Sequence, residues 1–554
     1  MLNKYKTGLL LVILVLGAFL RLYQLGSVPP SPDWDEAALS YNGYSILHTG
    51  RDEYGAFLPV VLRSFDDYKP ALYSYLTIPT TIIFGMNTFS TRLPSAVFGI
   101  VTLWIVYLLV KELFRREDLA LLSAFLLAIS PWHIQFSRIA FESNIGLSLN
   151  IVTAYFFIKA LKKPWMLSFS AGFAALALYA YQSEKVFTPL LVLALVLIYC
   201  KELFRMPKKF LAAGIICGLL VASPMLIYLT TNKDAWLRAQ ATLAFADQTS
   251  FLQNQVKRIA FDREHKDYLG LVLDNRRVLF LVTGIGGYLS HYDFNWLFIK
   301  GDIDRHHAPG MGLMYLWELP FLLIGIYLLI FAKLPDSSKK SKYVLFAWFL
   351  LAPVPAAFTS EVPHAVRTLN FLPTFQIFSA WAILAVIGWV GNYRQKLNKV
   401  FSLGLILASV GYLFFALGNF VYYLDQYFVQ LNYFDAEEWQ YGYQQAVAYV
   451  QQVQGDYRKI VVSDSQPFDK SYIFFLFYLH YPPERYQQEE KSKAGGYATH
   501  QGFGKYEFRP IHWSQETDRS GTLYVMPYNN DNGGTLLKTI YNPDGTPAVL
   551  IVKG

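Results

Sequence analysis

The stretch KYKTGLLLVILVLGAFLRLYQLGSVPPSPDWDEAALSYNGYSIL (residues 4–47) sets the architecture of this chain. Lys4 and Lys6 precede an apolar run over 8–26, and an acidic segment follows it directly. A helix of roughly twenty apolar residues covers the ~30 Å of bilayer hydrocarbon, so the run predicts a transmembrane helix. A basic start also suits a signal peptide. No small-x-small cleavage pattern follows, however, and Arg21 lies at the end of the run, so an uncleaved first helix is expected.

Working outward, comparable runs recur near 91–110, 119–136, 143–160, 166–182, 186–200, 210–229, 313–332, 343–359, 366–390 and 400–423. The chain is therefore expected to be mainly α, a polytopic bundle of about eleven transmembrane helices. The run 71–86 is also apolar but contains Pro79. It is expected as an interfacial or re-entrant piece, because a full span there spoils the alternation of charge. That alternation orients the chain, since short basic loops face the cytoplasm. Lys4 and Lys6 fall on one side. So do Lys111, Arg115 and Arg116; Lys159, Lys162 and Lys163; Lys201, Arg205, Lys208 and Lys209; Lys333, Lys339, Lys340 and Lys342; and Arg394, Lys396 and Lys399. The expectation is a multi-pass protein of the plasma membrane with a cytoplasmic N-terminus.

Composition agrees. Of 554 residues 54% are hydrophobic and 16% charged, against roughly 25% charged in soluble proteins. The 39 Tyr and 12 Trp suit the membrane interface. A net charge of +8 in a soluble chain raises nucleic-acid binding. Here the basic residues lie between apolar runs, topology accounts for them, and no nucleic-acid partner is expected. Cys200 and Cys217 sit in or beside apolar runs, which argues against a disulfide framework or a cysteine zinc site.

Three long segments are expected outside: about 27–90, about 230–312 and the chain beyond about 424. The division expected is a membrane domain over 1–430 and an extracytoplasmic α/β domain over 431–554. In the latter, 435–453 predicts an amphipathic helix with an acidic first turn. The segment 471–481 predicts a buried helix, and 459–463 and 522–527 predict strands. A hairpin is expected over 536–553 around Asn542-Pro543-Asp544-Gly545.

The ionisable residues gather in the first two of these segments, in a second outside loop expected over 130–144 and at the outer end of the tenth span (359–373). In SPDWDEAALSYNGYSILHTGRDEYG (31–55), Asp33, Asp35 and Glu36 begin a helix-periodic stretch. Capping free N–H groups, worth ~1 kcal/mol, is the expected role of Asp33 and Glu36. For Asp35, capping and chemistry stand open at this point. Asp52, Glu53, Asp66 and Asp67 follow, and DDYKPALYSYL (66–76) places Lys69 before Pro70. That lysine either snorkels at the surface or forms a fixed cation at the depth of a lipid phosphate. In SPWHIQFSRIAFESN (130–144), Arg138 and Glu142 are four apart, so they pair on a helix face or serve a site at the membrane boundary. TSEVPHAVRTLNFLP (359–373) holds Glu361, His364 and Arg367, the last two expected on one helical face. KGDIDRHHAPG (300–310) holds Asp302, Asp304, Arg305, His306 and His307. Adjacent histidines diverge, so no metal site is assigned; a zinc site needs an Asp or Glu from elsewhere. No P-loop, dinucleotide fingerprint or serine elbow is present.

WDEAALSYNGYSI with Asp35-Glu36, the Lys69-Pro70 step, and SPWHIQFSRIAFES with Arg138 and Glu142 together resemble the GT-C glycosyltransferases of family 39. These are the dolichyl-phosphate-mannose protein mannosyltransferases and the aminoarabinose transferases. PHAVRTLNFLP is similar, less specifically, to a later His/Arg loop of that family. The resemblance covers the membrane region to about residue 200. It implies a GT-C type bundle and transfer of a sugar from a polyprenyl-phosphate donor to a hydroxyl of a protein, lipid or glycan on the outer face, with inversion. Within the Asp35-Glu36 pair, Asp35 is implied as base. Lys69, Arg138, Arg367 and His364 are implied at the donor phosphate, and Glu142, Asp33, Arg305 and His306 at acceptor or sugar. No cofactor is expected beyond the lipid-linked co-substrate, and divalent-metal dependence is left open. The tail of roughly 120 residues matches neither a lumenal trefoil nor the other periplasmic domains of relatives, so the acceptor does not follow. The alternative class is a transporter or flippase. It predicts two similar halves with paired helix breaks, which the sequence lacks.

Overall fold

The computed structural model describes residues 2–65, 67–232, 243, 248–331, 336–394, 398–466, 468, 470–489, 501–528 and 533–554. Asp66, Lys333 and Lys396, named above, lie outside these described residues.

Every one of the predicted apolar runs carries a helix. Among the described residues, five helices are long and apolar enough to cross a membrane alone: Tyr5–Leu22, Thr88–Phe114, Lys208–Thr231, Leu369–Arg394 and Lys399–Phe434. Two of the runs are α-helical over only part of their length, for a visible reason. The run 343–359 stops being helical at Leu351, ahead of Pro353 and Pro355, and 366–390 becomes α-helical only at Thr374, after Pro373.

The chain opens with α1 (Leu2–Leu22) and α2 (Trp34–Thr49), then the strands β1 (Val61–Ser64) and β2 (Asp67–Pro70). There follow α3 (Leu72–Phe84), α4 (Thr88–Phe114), α5 (Glu117–Ile129), α6 (Pro131–Arg138) and α7 (Ser143–Ala160). The span expected over 119–136 is not straight: α5 and α6 meet at a 59° bend. Pro131 cannot donate to the preceding turn, and Ser130 caps the new helix by accepting the His133 N–H at 3.5 Å. The supposed loop 130–144 is thus largely a helix turned into the protein, every residue of α6 buried.

α4 has 27 residues, about 40 Å at 1.5 Å per residue, and separates two chemically different ends. At its end Lys111 pairs with Glu117, which also holds Lys6, and Glu112 pairs with Lys159 and Lys162. Several of the basic clusters therefore converge there. At its start, Met86 offers its carbonyl to His480 of the C-terminal domain at 2.9 Å.

That domain has a six-stranded sheet in the order β4-β5-β3-β6-β8-β7, where β3 is Lys459–Val462, β4 Gln501–Phe503, β5 Tyr506–Phe508, β6 Thr522–Pro527, β7 Thr535–Tyr541 and β8 Pro547–Lys553. β3 runs parallel to β5 and β6, and the hairpin β7-β8 turns where predicted. The period of two is visible in its two faces. Ile460, Val462, Leu523, Val525, Val549 and Ile551 pack on helices, while Val461, Tyr524, Met526, Leu550 and Val552 form a second small core. The helix expected over 435–453 starts only at Gly442, because Gln440 turns left-handed (φ 48°) after a short 3-10 turn. Its acidic first turn is thereby lost. The helix Ser471–Leu479 is buried through Phe477.

α2 joins the two parts. Ala37, Ala38 and Tyr41 belong to the same apolar cluster as the C-terminal helices, while Leu39 and Ile46 pack with Tyr73, Ala140, Ile145 and Leu149 of the membrane bundle. Buried on both sides, it has no solvent stripe. It lies so close to α3 that a Cβ at Gly43 would sit 2.6 Å from the Ser74 carbonyl oxygen.

Candidate active site

The three acidic residues that start α2 have different fates. Asp33 is the N-cap, its Oδ1 accepting the Glu36 N–H at 2.8 Å, while Glu36 Oε2 accepts the Asp33 N–H at 3.2 Å. This is a closed capping box. Glu36 also accepts Arg92 Nε and Nη2, each at 2.8 Å, and the Ala140 N–H at 2.8 Å. Glu36 and Arg92 are both fully buried. Glu36 is therefore saturated in the capping role expected of it, its oxygens engaged in structural bonds rather than turned with Asp35 toward an open face. Arg92 also binds the carbonyls of Pro29 (2.8 Å) and Ser31 (2.7 Å), fixing the segment that leads into α2.

Asp33 turns its second oxygen to Arg305 Nη1 at 3.3 Å. Burial, with Asp35 beside it, pushes the Asp33 carboxyl up to about 7 despite Arg305. The Arg305 guanidinium also lies 4.3 Å from the Trp34 ring centre, and Gln135 holds the Arg305 carbonyl at 2.5 Å.

Asp35 is the member of the three that keeps an open face, its side chain 30% exposed. It is paired with Lys69, whose own side chain is 5% exposed. Lys69 is delivered by β2, opposite Leu62 of β1, and Gln182 anchors that strand by donating to the Tyr68 carbonyl at 2.6 Å. Phe65, left-handed at the ribbon's turn (φ 54°), lies 5.8 Å from the Lys69 ammonium. A second ammonium comes from the C-terminal domain: Lys470 sits 4.0 Å from the Trp34 ring centre and 5.4 Å from that of Phe65. One accessible carboxylate is thus paired with Lys69 and follows directly on Trp34, whose ring carries Lys470 and Arg305, where the membrane bundle, the first loop and the C-terminal domain meet.

Other predicted residues lie elsewhere in the network. Arg138 is buried and donates to the carbonyls of Leu20 (2.9 Å), Val28 (2.9 Å) and Gln24 (3.4 Å), with its guanidinium 4.8 Å from the Phe428 ring centre. These bonds close the C-terminal end of α1, whereas the resemblance implied a place at the donor phosphate. Arg138 and Glu142 do not share a helix face, because α6 ends at Arg138 and Ile139 is extended. Glu142 is buried at the start of α7. Arg367 donates to Thr359 Oγ1 (2.8 Å) and the Ser360 carbonyl (2.5 Å), with Glu361 at 3.8 Å. No helix spans 364–367, so His364 and Arg367 do not act as one face. His364 turns to His306, their rings 5.2 Å apart, and His306 Nδ1 lies 3.2 Å from Asp302 Oδ2. The carboxylate that a histidine metal site would need is therefore supplied locally, by Asp302. The second histidine is His364, since His307 directs both ring nitrogens to backbone carbonyls. Of the residues missed from sequence, Arg92 carried a signal, an arginine beside an apolar run. Lys470 carried none.

Residues 68–228 match the family described as Dolichyl-phosphate-mannose-protein mannosyltransferase. The chain is 26% identical over 182 residues to "Putative mannosyltransferase YkcB" of Bacillus subtilis (strain 168), a match covering 31% of this chain and about a quarter, 24%, of that protein's length. Among solved structures, ArnT from Cupriavidus metallidurans in the apo state aligns over 100% of this chain and 98% of its own, with TM-score 0.55 and 12% identity. ArnT bound to undecaprenyl phosphate aligns over 99% and 97%, with TM-score 0.51 and 12% identity. The oligosaccharyltransferase AglB from Archaeoglobus fulgidus, in complex with an inhibitory peptide and a dolichol-phosphate, aligns over 86% of this chain and 64% of its own, with TM-score 0.50 and 13% identity. The chain is thus a polytopic membrane protein with the GT-C fold of these solved structures, and its residues 68–228 are similar to the dolichyl-phosphate-mannose-protein mannosyltransferases.

Proposed function

We propose that this protein is a membrane glycosyltransferase that moves a sugar from a polyprenyl-phosphate donor to a hydroxyl of a protein, lipid or glycan at the outer face of the plasma membrane, with inversion. One observation carries the reading: of three clustered acids, Asp35 alone is accessible, and it is held beside the buried ammonium of Lys69. In a single displacement the acceptor oxygen bonds to the anomeric carbon as the bond to the phosphate oxygen breaks. The acceptor proton passes to Asp35, and the lipid phosphate leaves as an anion. Such a leaving group needs cations more than a general acid, and Lys69 supplies one, with Lys470 and Arg305 close by.

The two ends of α4 support the orientation proposed. Basic clusters gather at one and the acidic site at the other, the arrangement that the positive-inside rule expects of a cytoplasmic N-terminus and an outer C-terminal domain. The fold neighbours support the donor class, as ArnT has been captured with undecaprenyl phosphate and AglB with dolichol-phosphate.

The test is transfer from a synthetic polyprenyl-phosphate sugar by purified protein. Asp35→Asn keeps the size and removes the base, and turnover should fall by roughly 10²–10⁴-fold. Lys69→Ala should weaken donor binding at least tenfold. Wild-type turnover in the first variant removes Asp35 as base, and unchanged donor affinity in the second removes Lys69 from the phosphate.

A further inference from the structure

Some residues of this region are not used by the proposed reaction. Asp302, His306 and His364 bring one carboxylate oxygen and two imidazole nitrogens within 4.8 Å of one another. Two loops distant in sequence supply them, and each ligand is oriented from behind. Asp302 Oδ1 accepts the Ile303 N–H at 2.8 Å and Oδ2 accepts the Ala365 N–H. The His364 N–H donates to His291 Nε2 at 3.2 Å, and the His306 ring packs 5.6 Å from Phe136 and 6.0 Å from Phe141. His364 Nδ1 is buried and has no hydrogen-bond partner among the described residues. A buried polar atom left unpaired costs ~1–3 kcal/mol unless something else satisfies it.

We infer that Asp302, His306 and His364 form a binding site for one divalent cation of the zinc class, with the fourth coordination position open to water. A tetrahedral ion about 2.0–2.2 Å from each ligand atom spaces those atoms roughly 3.3–3.5 Å apart. Asp302 and His306, at 3.2 Å, are already near that spacing, and His364, within 4.8 Å of both, has at most about 1.5 Å to close. The nitrogen-rich donor set favours a borderline metal over magnesium or calcium, which prefer all-oxygen shells.

The cation occupies a positioning place, not a catalytic one. Arg305 lies between two of the ligands and reaches Asp33 and Trp34, the residues just before Asp35. Tying 302–306 to 364 therefore fixes the arginine that steadies the start of α2. Binding itself is independent of the glycosyl-transfer reading and is tested without it.

Tag-free full-length protein in detergent micelles, stripped with a chelator and dialysed against zinc chloride, should retain one zinc per chain by mass-spectrometric metal analysis. Asp302→Asn and His364→Ala should each weaken retention at least tenfold, while His512→Ala, at an exposed histidine of the C-terminal domain, should not. His364→Cys guards against a merely misfolded alanine variant. It restores a ligand, and with Co²⁺ it should give thiolate-to-metal charge transfer that His512→Cys lacks. No zinc in the wild type, equal zinc in the wild type and His364→Ala, or no thiolate band in a folded His364→Cys would each overturn the proposal.

Discussion

Asp35 and Glu36 are neighbours with nearly the same side chain, yet burial assigns them opposite work. Glu36 meets a bidentate arginine and a backbone N–H in a site closed to solvent, and Asp35 keeps about a third of its surface. Two substitutions should separate them. Asp35→Asn should remove turnover at a smaller cost in thermal midpoint, since the amide oxygen that replaces the carboxylate can still accept from the buried Lys69 ammonium. Glu36→Ala leaves Arg92 charged and unpaired in the interior, a loss of about 3–5 kcal/mol. It should lower the midpoint of thermal unfolding measured in detergent by several degrees. Equal stability of the two variants would show that Arg92 does not depend on Glu36. The acidic cluster itself was legible in the sequence, as was the capping of α2 by Asp33 and Glu36. Which acid stays accessible was not, because exposure depends on Arg92, 56 positions away from Glu36.

At the level of elements, α2 is held from both sides, and Glu53 marks the joint. Its carboxylate accepts Asn42 Nδ2 of α2 at 3.0 Å and the Tyr472 hydroxyl of the C-terminal domain at 3.3 Å. Burial, with Asp52 adding and Asn42, Tyr472 and Arg63 opposing, pushes it from the ordinary 4.5 up to about 8. The folded chain then binds one more proton than the unfolded chain between these values. Its stabilising contribution is complete below 4.5 and lost as pH rises toward about 8. The thermal midpoint should therefore fall from pH 5 to 8 and then level, and Glu53→Gln should flatten that slope. An unchanged slope in the variant would show that another group carries it. The elements differ from expectation where proline or a left-handed residue intervenes: the bend at Pro131 and the late start at Gly442 after Gln440. Hydropathy averaged over a window does not register such single-residue breaks.

For the whole molecule, the bundle and the C-terminal domain share an apolar cluster through Ala37, Ala38, Tyr41, Phe65 and Met86. Deleting residues 431–554 should expose that face of α2, lower expression of folded protein several-fold and abolish transfer. A monodisperse, active truncation would show that the domain only decorates the site. Much of this plan was readable from the chain by itself. Apolar runs long enough for lipid, basic clusters in alternate loops, a capped acidic helix start and period-two strands near the end are local properties, and local properties follow from the order of residues. The tertiary structure alone decided which charges meet. It moved Arg138 to the carbonyls ending α1, brought Lys470 over Trp34 and gathered Asp302, His306 and His364. Such encounters join residues tens to hundreds of positions apart, and no periodicity or spacing in the chain records them.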